Sequence, residues 1–346
     1  MILIIFFLKV LVFFLIKSNY IQVSLGGGND ADYYHGYAIG VYDFAVNIWP
    51  VILRYLNSIG LYTREFISYI FLFLNLSVIP IVVARLSEVR LSKNQKYYFY
   101  IFFICSLYPT LYFFTFDIYR DVFMVLSFLT GCLVVKGSLT ANHTSKFVFL
   151  FLCSLIIGFF LVALRPYLGV AFIGALFLWG IRFNKKRIVF LFVLYLLVLF
   201  IANYIGVFDA LTEYRSGFEE LESGSTLGLD FSNPMLFIPN FILSFLGQML
   251  GLYITNPLAI ILLLVETVPF FFMLIYVFKN IKLADSFVRF LIIFFVLYAS
   301  VWLIGNDNLG TAVRLRIYNY LAVYISFFYI LKQKSLVKKR LRVANQ

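Results

Sequence analysis

Residues 147–178 read FVFLFLCSLIIGFFLVALRPYLGVAFIGALFL, with a single charge, Arg165, beside a single proline, Pro166. A bilayer core about 30 Å thick takes roughly 17–25 apolar residues per helix. Segments 147–164 and 167–181 therefore read as two crossings, with Arg165-Pro166 marking the turn between them. The rest of the chain has the same character. Of 346 residues, 63% are apolar and 13% charged, with 43 Phe and 25 Tyr. A soluble domain carries roughly 45–50% apolar and about 25% charged residues, so this chain lacks the polar surface to cover a water-facing globule. Disorder needs low hydrophobicity with high net charge and fails on the same numbers. Cys105, Cys132 and Cys153 all lie inside apolar runs, where they act as small hydrophobes, and this excludes a secreted disulfide scaffold. The composition predicts an all-α, polytopic transmembrane helical bundle forming one integral membrane domain over residues 1–346.

Working outward from 147–178, apolar runs predict about ten spans: 2–24, 62–84, 97–116, 122–136, 147–164, 167–181, 188–207, 256–278, 290–305 and 317–332. A signal peptide is a poor reading of residues 1–25, because Lys9 interrupts the run and no small-residue cleavage site precedes Gly26-Gly27-Gly28. The net charge of +12 is spread in short clusters between spans, whereas a nucleic-acid binder gathers its basic residues on one face. Connectors 85–96, 136–146, 182–187 and 279–289, with the tail 332–346, hold 19 of the 28 Lys and Arg and only two acids, Glu88 and Asp285. By the positive-inside rule these segments, and both termini, are expected in the cytoplasm. The outer face then carries two long loops, 25–61 and 208–255. The second is acidic in its first half (Glu213, Glu219, Glu220, Glu222, Asp230), and its 236–254 portion reads as an interfacial helix broken by Pro234, Pro239 and Pro257.

Ionisable groups in or beside lipid are paired, wet or functional, and five clusters ask for a reason. Asn29-Asp30-Ala31-Asp32-Tyr33-Tyr34-His35 follows the three glycines, whose backbone freedom lets the acids fold back over the bundle mouth. Asp30 and Asp32 are candidate general bases, and their spacing leaves room for a divalent cation, although no metal is required; a plain acidic loop is the alternative. Asp117-Ile118-Tyr119-Arg120-Asp121 is a short outer turn in which Arg120 is either a phosphate ligand or locally paired with its flanking acids. Arg165 either binds an anion through its planar fork or snorkels to the interface. Arg314 and Arg316 follow Gly305-Asn306-Asp307-Asn308-Leu309-Gly310 in the outer half of the last span, against the positive-inside bias; pairing with loop acids such as Asp307 is the alternative. Glu266 lies ten residues into span 256–278, as a substrate contact, a proton relay or helix–helix glue. No phosphate-binding glycine-lysine loop, paired-cysteine metal pattern or serine-hydrolase elbow is present.

Three arginine sites and an acidic site on one face of a lipid-embedded bundle describe a pocket for a lipid-linked anionic substrate. In layout the chain resembles the bacterial O-antigen and capsular polysaccharide repeat-unit polymerases. Asp30-Ala31-Asp32-Tyr33 with Ala38 also resembles the first-outer-loop motif of C-type membrane glycosyltransferases, and Gly310 followed by Arg314 and Arg316 is similar to their closing motif. Arg215 is the only arginine of the second long outer segment, where the polymerases often place functional arginines. The resemblance implies an inner-membrane glycosyltransferase that acts on undecaprenyl-pyrophosphate-linked oligosaccharides at the periplasmic face of a bacterial cell. On that expectation Arg120, Arg165, Arg314, Arg316, Tyr33, Asp121 and Glu266 contact substrate and Asp30 or Asp32 is catalytic. The expected partners are membrane lipid and other assembly proteins such as a chain-length regulator, not nucleic acid. A transferase using a polyprenyl-phosphate sugar donor, a lipid-linked oligosaccharide flippase or transporter, and a non-catalytic member of an assembly complex remain the alternatives.

Overall fold

Among the described residues, six helices are long and apolar enough to cross a bilayer, and four of them begin at polar side chains that cap them. Thr63 accepts a hydrogen bond from the Phe66 N–H (3.1 Å), Asn184 from Arg187 (2.8 Å), Asn256 from Ala259 (2.9 Å) and Asp285 from Val288 (2.8 Å). This computed structural model describes residues 2–21, 29–220 and 225–344; Gly26-Gly27-Gly28, Glu222 and the side chains of Glu219 and Glu220 lie outside the described residues. Among the described residues the fold is helical, with one isolated antiparallel bridge between Thr226 and Asn308. The chain divides between Ile173 and Gly174 into two units.

The first unit contains α1 (Ile2–Lys17), α2 (Asn29–Ala38), α3 (Ile48–Ser58), α4 (Arg64–Leu86), α5 (Gln95–Ser106), α6 (Pro109–Phe113), α7 (Arg120–Leu139), α8 (Thr144–Leu164) and the start of α9 (Pro166–Leu178). Of these, α4, α7 and α8 have spanning length. At one end, Lys136 donates to the Leu86 carbonyl (2.7 Å) and pairs with Glu88 (3.2 Å), so the basic connectors 85–96 and 136–146 lie together. At the other end Lys17 donates to Ser68 (3.1 Å), near the start of α4. The Arg165-Pro166 turn folds α9 tightly onto α8: a Cβ on Gly169 would sit 2.2 Å from the Val162 backbone nitrogen.

The second unit contains α10 (Lys185–Tyr204), α11 (Asp209–Glu220), α12 (Pro234–Met249), α13 (Pro257–Lys279), α14 (Ser286–Gly305) and α15 (Leu309–Ala344). Spanning length belongs to α10, α13 and α14. Val277, Ile281, Val288, Ile292, Tyr329 and Ile330 form a buried cluster on which Phe183 and Ile188 pack, and this gathers connectors 182–187 and 279–289 at one end.

The remaining expected spans take other forms. Segment 2–24 is helical for 16 residues, in α1. Segment 97–116 breaks at Pro109 into α5 and α6, because proline lacks the N–H that would continue the ladder. Segment 167–181 is the 13-residue α9. Segment 317–332 lies within the 36-residue α15, whose Tyr318, Tyr320 and Tyr324 are buried against protein; a helix surrounded by protein need not be apolar on every face. The two segments expected as long outer loops contain helices: 25–61 holds α2 and α3, and 208–255 holds α11 and α12.

Two spans carry a π-helical turn shortly before a proline. In α4 the Ile79 N–H reaches back five residues to Leu74, ahead of Pro80; in α13 the Val268 N–H reaches Leu263, ahead of Pro269. An interior proline clashes with the carbonyl four residues back, and the wider turn relieves that crowding without ending the helix. Each turn holds a buried polar residue, Asn75 and Glu266.

Candidate functional site

In the first unit, Asp30 and Asp32 lie in the first turn of α2, where carboxylates interact favourably with the helix dipole. Residues two apart on an α-helix are separated by about 200° around its axis, so the pair does not present both carboxylates to one cation. Among the described residues no group of three or more His, Cys, Asp and Glu is placed to hold a metal. Asp32 instead bonds Arg64: Nη2 donates to its Oδ1 at 2.7 Å. The same guanidinium grips Asp117 with two parallel bonds, Nε to Oδ1 (2.7 Å) and Nη2 to Oδ2 (2.6 Å), the fork geometry in which arginine binds planar anions. Lys17, at the end of α1, adds positive charge close to Asp117.

The turn 117–121 is fixed from two sides. Trp49 Nε1 donates to the Ile118 carbonyl (2.8 Å), and Asp117 accepts from the Ile118 N–H (2.8 Å). From this turn Asp121, fully buried, faces Arg165, whose Nη2 lies 3.8 Å from Oδ1. Arg120 Nη1 donates to the last carbonyl of α8, Leu164 (3.0 Å). The acids that flank Arg120 thus reach beyond the turn: Asp117 pairs with Arg64 and Asp121 faces Arg165. Aromatic rings border the same end. Tyr33 stacks on Tyr42 (5.5 Å) while its hydroxyl donates to the Phe44 carbonyl, and His35 Nδ1 hydrogen-bonds the Tyr62 hydroxyl at 2.8 Å. Burial pushes the Tyr62 hydroxyl up to about 12, with the Arg64 charge opposing the shift.

In the second unit, α15 carries Arg316 into the core beside Glu266, Nη2 to Oε2 at 3.0 Å, with both side chains nearly fully buried. The guanidinium also lies 5.4 Å from the Tyr320 ring centroid. Tyr320 itself stacks on Phe270 (3.9 Å), meets Thr267 Oγ1 at 2.9 Å and donates to the Met249 carbonyl at 2.7 Å. Gly251 is required here on two counts: its φ of +62° favours glycine, and a Cβ would stand 2.8 Å from Arg316 Nη1. Arg314 is half-buried on the same helix.

Asp307 pairs not with Arg314 or Arg316 but with Arg215 of α11. Arg215 also donates to the carbonyls of Leu229 (2.8 Å), Leu303 (3.2 Å), Ile304 (3.2 Å) and Asn306 (2.7 Å), and lies 4.7 Å from the Phe231 ring centroid. The carbonyls at the end of α14 have no partners within their own helix, and this buried arginine supplies them. Gln248 and Ser244 of α12 help, donating to Asn306 (2.8 Å) and Leu303 (2.7 Å). Nearby, Asp230 is held below the usual carboxylate range by the Ser232 hydroxyl and backbone N–H.

The expected site residues therefore fall into two groups. Asp32, Arg120, Asp121 and Arg165 share the first unit with Asp30 and Tyr33, joined through Asp117. Glu266 and Arg316 form a pair in the second unit, with Arg314 beside them on α15. Sequence reasoning missed Arg64, which bridges α2 to the 117–121 turn. It begins a helix long and apolar enough to cross a bilayer, and it stands at the end of that helix opposite the basic connector 85–96. No known protein family, curated protein or solved structure matches this chain.

Proposed function

We propose that the chain is a bacterial inner-membrane glycosyltransferase, with about ten membrane passes and both termini cytoplasmic. It acts at the periplasmic face on glycans carried by a polyprenyl diphosphate and joins repeat units of an O-antigen or capsule. One observation carries this reading: in the first unit the 117–121 turn links the carboxylate of Asp32, through Arg64, to the guanidinium of Arg165. Acid, cation and aromatic rings thereby share one end of a helical unit, the combination that a hydroxyl nucleophile, a diphosphate leaving group and a sugar ring require.

In this reaction the acceptor hydroxyl oxygen bonds to the anomeric carbon as the carbon–oxygen bond to the diphosphate breaks. Asp32 takes the hydroxyl proton, and Arg165 and Arg120 offset the charge that develops on the departing diphosphate. Arg165 faces Asp121 at 3.8 Å, and its planar fork matches the geometry of a phosphate that enters beside that carboxylate. Arg64 already binds one planar anion with its fork, and a phosphate oxygen that displaced Asp32 from Nη2 would release the base as substrate arrived. Arg314, half-buried on α15, serves a further substrate contact in the second unit, and Arg316, buried against Glu266, holds that helix in place.

The test is a deletion strain complemented with variants, read as the ladder of surface polysaccharide on gels. Arg165→Lys and Asp32→Asn should leave single repeat units capped but not lengthened, because a point charge does not reproduce the fork and an amide does not take the proton. Normal ladders with Arg165→Ala and Asp32→Asn combined would refute the scheme. A second reading, a transporter of lipid-linked glycans, draws on Glu266, which lies ten residues into the apolar helix α13 and pairs there with Arg316. Translocation across purified vesicles without bond formation would favour it.

A further inference from the structure

The connection between α9 and α10 carries charge of a different kind from the rest of the fold. No acidic residue occurs between Asp121 and Asp209, yet this interval contains Arg182, Lys185, Lys186 and Arg187. Arg64, Arg165, Arg215 and Arg316 each meet a carboxylate. Arg182 and Arg187 meet none among the described residues, and they line instead an open cavity of about 450 Å³ with Gly180, Ile181, Phe190 and Leu191. The lining thus combines two cations with apolar side chains and holds no acid. The helix that leads from it, α10, is the least covered span: 6% of its apolar window is buried, against 72% for α14. Phe190, Val193, Leu194 and Leu197 stand exposed along it.

A ligand matching this surface has an anionic head, a long apolar tail and residence at a span end. We propose that the α9–α10 connection binds an anionic phospholipid, its phosphate between Arg182 and Arg187 and its acyl chains along Phe190 and Leu191 down the exposed side of α10. A soluble phosphate would leave the apolar wall in water, and a neutral lipid would leave the two guanidinium groups without a counter-charge. The assignment is independent of the glycosyltransferase reading and survives its failure.

The full chain, purified in a neutral detergent, is incubated with equal amounts of phosphatidylglycerol and phosphatidylcholine and the retained lipid is measured by native mass spectrometry. Each arginine at a membrane surface is worth about fivefold in binding an anionic headgroup. Wild-type protein should accordingly retain phosphatidylglycerol well above fivefold over phosphatidylcholine, with Arg182→Ala/Arg187→Ala close to parity and Lys338→Ala/Lys339→Ala unchanged. Equal retention of the two lipids by wild type, survival of the preference in Arg182→Ala/Arg187→Ala, or an equal loss in the tail variant would overturn the proposal. Displacement of the lipid by millimolar glycerol 3-phosphate would overturn it too, by identifying a soluble phosphate site. Should the double variant not fold, photoactivatable phosphatidylglycerol on wild type decides: crosslinks within 180–191 support the site, and crosslinks confined elsewhere refute it.

Discussion

Glu266→Gln removes one charge from the most deeply buried ion pair of the second unit while keeping the shape of the side chain. Arg316 Nη2 and Glu266 Oε2 are 3.0 Å apart, with 2% and 0% of the two side chains exposed. At an effective dielectric of about 20 their attraction is about 5 kcal/mol. Most of that offsets the loss of hydration on burial, so the pair adds little net stability, but breaking it strands a buried guanidinium and costs about 3–5 kcal/mol. Arg316→Gln should cost a similar amount by stranding the carboxylate. The double variant Glu266→Gln/Arg316→Gln strands neither and should be less damaged than the sum of the single losses by about 2 kcal/mol. Equilibrium unfolding of the purified protein in mild detergent, followed by tryptophan emission, measures all three. Single losses below about 1 kcal/mol that simply add would refute the argument, because they would mean that water reaches the pair.

Arg215→Lys should destabilise by about 2–4 kcal/mol, since one ammonium cannot serve Asp307 and the carbonyls of Leu229, Leu303, Ile304 and Asn306 together; unfolding in the same detergent reads the loss. Gly169→Ala places a methyl 2.2 Å from the Val162 nitrogen and 2.6 Å from the Gly158 oxygen. The α8–α9 hairpin must then open at a cost of about 3 kcal/mol, and proteolysis after Arg165 should quicken. Asn75→Leu should act in the opposite direction. Neither amide atom of this buried residue has a hydrogen-bond partner among the described residues, so an apolar side chain of similar size should raise stability by about 1–3 kcal/mol, and a lowered melting temperature would show that the amide is engaged.

Composition made the membrane bundle legible, because apolar length is a local property of the chain. Polar capping residues marked the starts of α4, α10, α13 and α14 equally well. Within segment 97–116 the break at Pro109 was not legible, because hydropathy carries no record of it. In segment 208–255 the helix expected at 236–254 is present as α12, but its anchoring was not legible. There α11 and α12 are held by bonds from Arg215 and Gln248 to carbonyls at the end of α14, some sixty to ninety residues away in sequence, and no window on the chain reports such a bond.

The candidate site divides along the same line. Arg165, Arg316 and Glu266 stood out because an isolated charge in an apolar run is visible in sequence. Their partners did not follow, since pairing depends on which helix faces which: Asp121 faces Arg165, and Asp307 turned to Arg215. Arg64 was overlooked because it is the third residue of the expected span 62–84, at a boundary where a single charge is ordinary.

The last helix runs without interruption from Leu309 to Ala344, a rod about 54 Å long at 1.5 Å per residue. Near one end it holds Arg316 against Glu266; toward the other it carries Lys332, Lys334, Lys338 and Lys339. No proline or π-helical turn lies between them to absorb torsion. A rotation at the buried pair therefore becomes a displacement of the cationic terminus, and the two ends of α15 report on each other as the ends of a crankshaft do.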